Sequence, residues 1–191
     1  MTENKGCLYS LIAAAVVLLI AVLGLFGGYN RIVAADEAID ANWAQVENVL
    51  QRRYDLIPNL VNTVKGFAEQ EREVLTEVAR LRSQWGEARS TGEKARAASL
   101  LEGALGRLMV VVERYPELKS DQNFLRLQDE LAGTENRVAV ERRRYNEAVQ
   151  AYNTSIRKFP GVLIANFAGF EKRDVYFEAA ETAREAPVVN F

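Results

Sequence analysis

The sequence predicts an all-α protein: a single N-terminal transmembrane helix followed by an antiparallel, four-helix-type bundle with a long first helix. Three observations predict it. Residues 8–26, LYSLIAAAVVLLIAVLGLF, run for 19 residues without a charge. From Ile32 to Trp85 apolar residues recur at a heptad period. The 191 residues include only 4 prolines and 12 glycines, so few positions break a helix.

At ~1.5 Å per residue the apolar run reaches roughly 28 Å, the thickness of a hydrocarbon core. Tyr9 stands at one edge, where an aromatic anchor belongs, and Gly27-Gly28 follow the other. A cleaved signal peptide is the competing reading, with Val33-Ala34-Ala35 as its cleavage site. The run is longer than a usual signal-peptide core, however, and that site lies inside the next helical pattern. Residues 1–28 are therefore expected to be an uncleaved single-pass anchor. Lys5 and the α-amine lie on one side and Arg31 on the other, so the positive-inside count is close to a tie, with the N-terminus inside preferred. Cys7, beside the start of the run, is a position open to palmitoylation; a tolerated small residue is the simpler account.

One seam of the following helix reads Ile32, Ile39, Val46, Arg53, Leu60, Phe67, Val74, Leu81. The other, four residues on, reads Asp36, Trp43, Leu50, Ile57, Val64, Glu71, Val78, Trp85. Thirteen of these sixteen positions are apolar, the pattern of helices packed side by side. Pro58 falls in the middle, yet the phase does not slip across it, and YDLIPNL offers turn residues only at its flanks. The preferred reading is one helix from about 29 to 86, kinked near Pro58; a true turn there is the alternative.

GEARSTG at 86–92 is the next break. A helix at about 93–114 follows, with Leu101, Ala104, Leu105, Leu108, Val111 and Val112 on one side, and YPELKSD at 115–121 ends it. Ser120 or Asp121 is placed to cap the next helix. That helix carries the repeated pairs Tyr145-Asn146 and Tyr152-Asn153. Both tyrosines fall on a seam with Phe124, Leu131, Val138 and Phe159, so they are core side chains; the asparagines turn off the seam, towards another helix or water. Gly103 and Gly106, in GALG, lack the strand and lysine of a phosphate loop and fit a close helix–helix approach better. Arg142-Arg143-Arg144 fan over about 200° and form no single basic surface. Pro160-Gly161 end the helix and nine uncharged residues follow; Val162, Leu163, Ile164, Phe167 and Phe170 are the candidate partner or membrane contacts. Either this segment caps the open end of the bundle, or it dips into a bilayer interface or docks a partner. One kinked first helix gives three passes and puts it away from the membrane; a reversal at Pro58 gives four and brings it back. EKRDVYFEAAETAREA reads as a last short helix closing the bundle region 29–185, and residues 186–191 as an extended tail.

The chain has no histidine and one cysteine, which removes Ser-His-Asp and Cys-His nucleophiles and ordinary zinc or haem ligation. A net charge of −2 with interspersed signs leaves no footprint for nucleic acid. Arg53, Glu71, Glu135, Glu141 and Arg142, on or beside the seams, are candidates for a semi-buried ion network that fixes register more than it stabilises. A carboxylate metal site there is the weaker reading, because di-iron bundles use Glu-x-x-His. No catalytic, cofactor or metal residue is expected.

The anchor, YNRIV at 29–33, RRYDLIPNLVNTVKGFAEQE at 52–71, DELAGTENRVAVERRRYNEAVQAYN at 129–153 and KFPGVLIANFAGF at 158–170 with YFEAAETAREAPVVNF at the end together resemble the LemA family across essentially the whole chain. The resemblance implies a prokaryotic inner-membrane protein with one transmembrane helix and an antiparallel helical bundle. Biochemical activity is largely undefined in that family; one relative is associated with building magnetosome membranes, and no agreed catalytic residues exist to transfer. Two functional readings follow. One is a non-enzymatic membrane scaffold or adaptor that self-associates or holds membrane-protein partners; the other is a bundle that senses a ligand or signal between its helices.

Overall fold

The computed structural model describes residues 3–68 and 70–177. Among them are six α-helices and no strand: α1 (Glu3–Phe67), α2 (Arg72–Glu87), α3 (Thr91–Val112), α4 (Pro116–Lys119), α5 (Gln122–Ser155) and α6 (Gly161–Ala168). The all-α, bundle-type fold is thus the one the heptads specify.

α1 continues unbroken through Gly27-Gly28 and through Pro58. A proline has no N–H to offer the carbonyl four residues back. That carbonyl, on Tyr54, instead accepts from Arg82 Nε of α2 at 3.2 Å. A neighbouring helix supplies the donor that Pro58 lacks. The reading of one helix from 29 to 86 needs correction: the chain reverses at residues 68–71, where the Glu71 N–H closes a turn on the Ala68 carbonyl at 3.1 Å. The heptad phase runs through this reversal because α1 and α2 both feed the same core. Four passes result rather than three.

By compactness the chain divides into two units, the first from residues up to 41 and 147–174, the second from 42–146 and 175 onward. In the second unit, α2 runs antiparallel to α1: the Tyr54 ring stacks on Trp85 with centroids 4.1 Å apart. α3 returns parallel to α1, with Lys94 paired to Glu47 at one end and Arg114 to Glu71 at the other. α5 is antiparallel to both, as the Trp43–Tyr145 ring contact and the Arg53–Glu135 pair, taken together, fix along α1. Between them lie Val46, Leu50, Ile57, Leu60, Val64, Leu81, Leu101, Leu108, Leu118 and Phe124, all nearly inaccessible. Each such side chain contributes about 1.5–3 kcal/mol on transfer from water. α3 starts from a capping box: Ser90 Oγ accepts from the Glu93 N–H, and the Glu93 carboxylate accepts from the Ser90 N–H. Asp121 caps α5, accepting from the N–H groups of Asn123 and Phe124, both at 2.9 Å. Gly103 and Gly106 face open space, so the expected close approach at GALG is not what these glycines do.

The first unit contains the apolar start of α1, the end of α5, α6 and residues 171–174. Ile32, Ile39, Val149, Tyr152, Ile156 and Ile164 form its core. α5 ends at Ser155, four residues before the stripe would reach Phe159, and that ring is 80% exposed instead of buried. Two real close approaches occur here. A Cβ on Gly28 would lie 2.6 Å from Ile164 Cδ1, and one on Gly161 would lie 2.1 Å from the Ser155 carbonyl oxygen. Gly169 ends α6 in the left-handed region, φ 76°, where glycine carries no Cβ penalty.

The expected last helix is also corrected over its described part. Residues 171–177 are not helical; the rest of it, and the 186–191 tail, lie outside the described residues. Cys7 is on α1, with its side chain outside them too.

Candidate functional site

Two places in the fold combine unusual chemistry with accessibility or burial. The first is the polar interior of the second unit. Arg53 is 5% exposed on a seam of α1, and its Nη2 meets Glu135 of α5 at 3.0 Å. The pair is lopsided: the Glu135 side chain is 51% exposed, so the positive end is inside and the negative end in solvent. One heptad along α5, Arg142 reaches Glu102 of α3 at 2.7 Å, and its guanidinium lies 5.0 Å from the centre of the Phe177 ring. Tyr54 stacks on Trp85, whose ring also faces the Lys94 ammonium at 5.5 Å. Burial drives the Tyr54 phenol well above its ordinary pKa, against the opposing pull of Arg53 and Arg142. It stays a neutral hydroxyl.

Of the five residues expected to share a network, only Arg53 and Glu135 are brought together. Glu71 lies at the turn after α1, paired with Arg114 at 3.1 Å and accepting from the Tyr115 hydroxyl at 3.2 Å. Arg142 takes Glu102, and Glu141 takes its own-helix neighbour Arg144 at 2.8 Å. Glu102 and Tyr54 are interior polar residues that sequence reasoning did not single out, whereas Trp85 stood on a seam. Tyr54 sits beside Arg53, but nothing local announces that its ring turns inward.

The asparagines of the repeated Tyr-Asn pairs hold the non-helical segment. In the first unit the Asn153 amide donates to the Arg173 carbonyl at 2.7 Å and accepts from its N–H at 3.0 Å. In the second, Asn146 does the same to Phe177, at 2.9 and 3.0 Å. Tyr152 donates its hydroxyl to the Glu171 carbonyl at 2.9 Å, and burial foremost keeps that phenol's pKa raised. Arg173 is also anchored to Asp36 at 2.9 Å. Tyr145 and Tyr152 are both buried, as the stripe requires.

The second place is an apolar groove in the first unit. α6 lies against α1 just beyond its apolar run: Ile164 is buried against Gly28, and the Phe170 ring meets Tyr29 at 5.7 Å. Between them opens a groove of about 540 Å³, lined by Leu25, Phe26, Tyr29, Leu163, Ile164, Phe167 and Ala168. Its lip is almost wholly apolar and open, with Phe167 96% and Leu163 56% exposed. Val162 is half-buried. The apolar part of α1, with Leu18, Ile20, Leu23 and Phe26 all more than half exposed, is the one described segment long and apolar enough to cross a membrane.

The LemA family model matches residues 42–191. The chain belongs to the LemA family. Curated LemA-type relatives extend the likeness through the apolar segment. Magnetosome proteins MamQ 1 and MamQ 2 of Paramagnetospirillum magneticum are each 28% identical across 97% of this chain and 78% of theirs. Magnetosome protein MamQ of Magnetospirillum gryphiswaldense is 26% identical over the same shares. This LemA chain therefore carries the family's helical bundle behind an apolar N-terminal helix.

Proposed function

We propose that this LemA protein is a non-enzymatic, membrane-anchored scaffold whose α6 lies in the bilayer interface beside its own transmembrane helix. The observation that carries the reading is the groove of α6 and α1. Its exposed Leu163 and Phe167 stand next to Leu25 and Phe26, the last residues of the apolar run. An apolar surface of this kind, continuous with a span, is covered by lipid at little cost and is poorly tolerated by water. The relatives named for the magnetosome support a role in organising a membrane. We place the anchor in the inner membrane of a prokaryotic cell with the N-terminus inside, and copies of the chain associate laterally.

A Phe167→Cys chain in a Cys7→Ser background, labelled with an environment-sensitive fluorophore, tests the membrane contact. In vesicles the label is expected to emit as in an apolar medium and to be quenched by lipids carrying a shallow spin label. Water-like emission without quenching refutes the contact. Cross-linking in native membranes tests the scaffold: a ladder made of this chain supports it, and an unlinked monomer refutes it.

A further inference from the structure

We infer that the polar interior of the second unit is a binding site for a small ligand that only accepts hydrogen bonds, an inorganic anion or a carboxylate. Among the described residues, the buried side-chain nitrogens and oxygens without a partner are Arg53 Nε, Tyr54 OH, Trp85 Nε1, and Arg142 Nε and Nη2. All five can donate, and the hydroxyl is the sole one that can also accept. Buried donors left unpaired are strongly disfavoured, so native interiors hold few of them and rarely together. Here they share one neighbourhood. Tyr54 follows Arg53 on α1, stacks on Trp85 of α2, and feels the charges of Arg53, Arg142 and Glu102.

The two carboxylates in reach do not meet this demand. Glu135 engages Nη2 of Arg53, and Glu102 engages Nη1 of Arg142, each leaving the rest of the fork unmatched. Glu135 is half in solvent while Arg53 is not, and Glu102 is likewise more exposed than Arg142, so the guanidinium sides of both pairs are the ones turned inward. Water is a poor partner for such a set, because each molecule that accepts brings two hydrogens needing acceptors of their own. An anion brings none. The combination of two guanidinium edges, an indole N–H and a phenol is the donor set that recognises a halide or a carboxylate. This inference is independent of the membrane contact.

Iodide, an anionic quencher, tests it on the full chain in detergent micelles carrying Trp43→Phe, so that Trp85 is the emitting indole. Saturable quenching by iodide, well beyond that by neutral acrylamide, is expected, since Trp85 is only 6% exposed. Chloride, acetate and phosphate are then added as competitors at fixed ionic strength; the one that relieves quenching at the lowest concentration tells an inorganic anion from a carboxylate. Arg142→Met should weaken the iodide effect about tenfold or more, the loss of one charge-assisted bond. Tyr54→Phe, which removes a single oxygen and leaves the ring stacked, should weaken it less, with unchanged helicity. Quenching no stronger than acrylamide's, or equal in the variants, overturns the site and leaves the donors to water.

Discussion

Replacing Arg82 by Met removes the donor that serves the Tyr54 carbonyl, and the size of the effect depends on whether Pro58 is present. The bond is 3.2 Å long and links a guanidinium to a main-chain oxygen. Bonds to charged groups contribute about 1.5–3 kcal/mol. Because Arg82 is itself exposed, screening brings the expected cost of Arg82→Met down to about 1 kcal/mol. For a chain of this size that lowers Tm by roughly 2–4 °C. Pro58→Ala restores an N–H four residues beyond Tyr54, so the carbonyl regains a helical partner and Arg82 becomes redundant. In that background Arg82→Met should cost less than about 0.3 kcal/mol, giving a coupling energy of nearly 1 kcal/mol in the double-mutant cycle. Pro58→Ala alone should raise stability, since an interior proline costs about 3 kcal/mol against alanine. Urea unfolding of the four chains in micelles, followed by helical circular dichroism, measures the cycle. Equal costs of Arg82→Met in both backgrounds would refute the account of how α1 tolerates its proline.

Three further outcomes follow from the packing. Gly161→Ala puts a Cβ against a carbonyl that cannot move, and should destabilise by about 1–3 kcal/mol, whereas Gly28→Ala meets only the swinging end of Ile164 and should cost less; thermal unfolding of the two variants compares them. Asn153→Ala removes two hydrogen bonds to Arg173, a loss of about 2 kcal/mol, and should speed hydrogen exchange at the Arg173 N–H more than at Phe177. The Glu93 carboxyl is held below its ordinary pKa by accepting from the N–H groups of Arg89 and Ser90. Its contribution is therefore full above the unfolded carboxylate value and lost as pH falls through the lower folded one. Exchange at those two N–H groups should rise over that acidic window, and Glu93→Gln should flatten the dependence.

The apolar span, the heptad seams and the tyrosine stripe were legible because each follows a local period that packing must obey. The reversal at 68–71 was not. Its residues include no glycine or proline, and Glu71 falls on the seam in phase, so the pattern continues across a bend it cannot register. Residues 171–177 have a composition that suits a helix, yet Asn146, Asn153 and Tyr152 offer their main chain partners from 19 to 31 positions away. Such long-range competition overrides local propensity and leaves no periodic trace. The ion pairs were half legible for a similar reason: the seam shows that Arg53 and Arg142 turn inward, but not which carboxylate meets each. The stretch 159–170 stood out by its lack of charge; that it forms a groove with Leu25, Phe26 and Tyr29 did not, because that depended on the number of passes.

The two asparagine grips have a consequence for how this chain can change over generations. Each amide grips the peptide group of Arg173 or Phe177, a feature every residue but one possesses in full. Lys172 and Asp174, paired with each other, add nothing to that recognition. Substitutions at those two positions can therefore accumulate without loosening the segment. The residue excluded at 173 and 177 is proline, which has no hydrogen for the waiting oxygen.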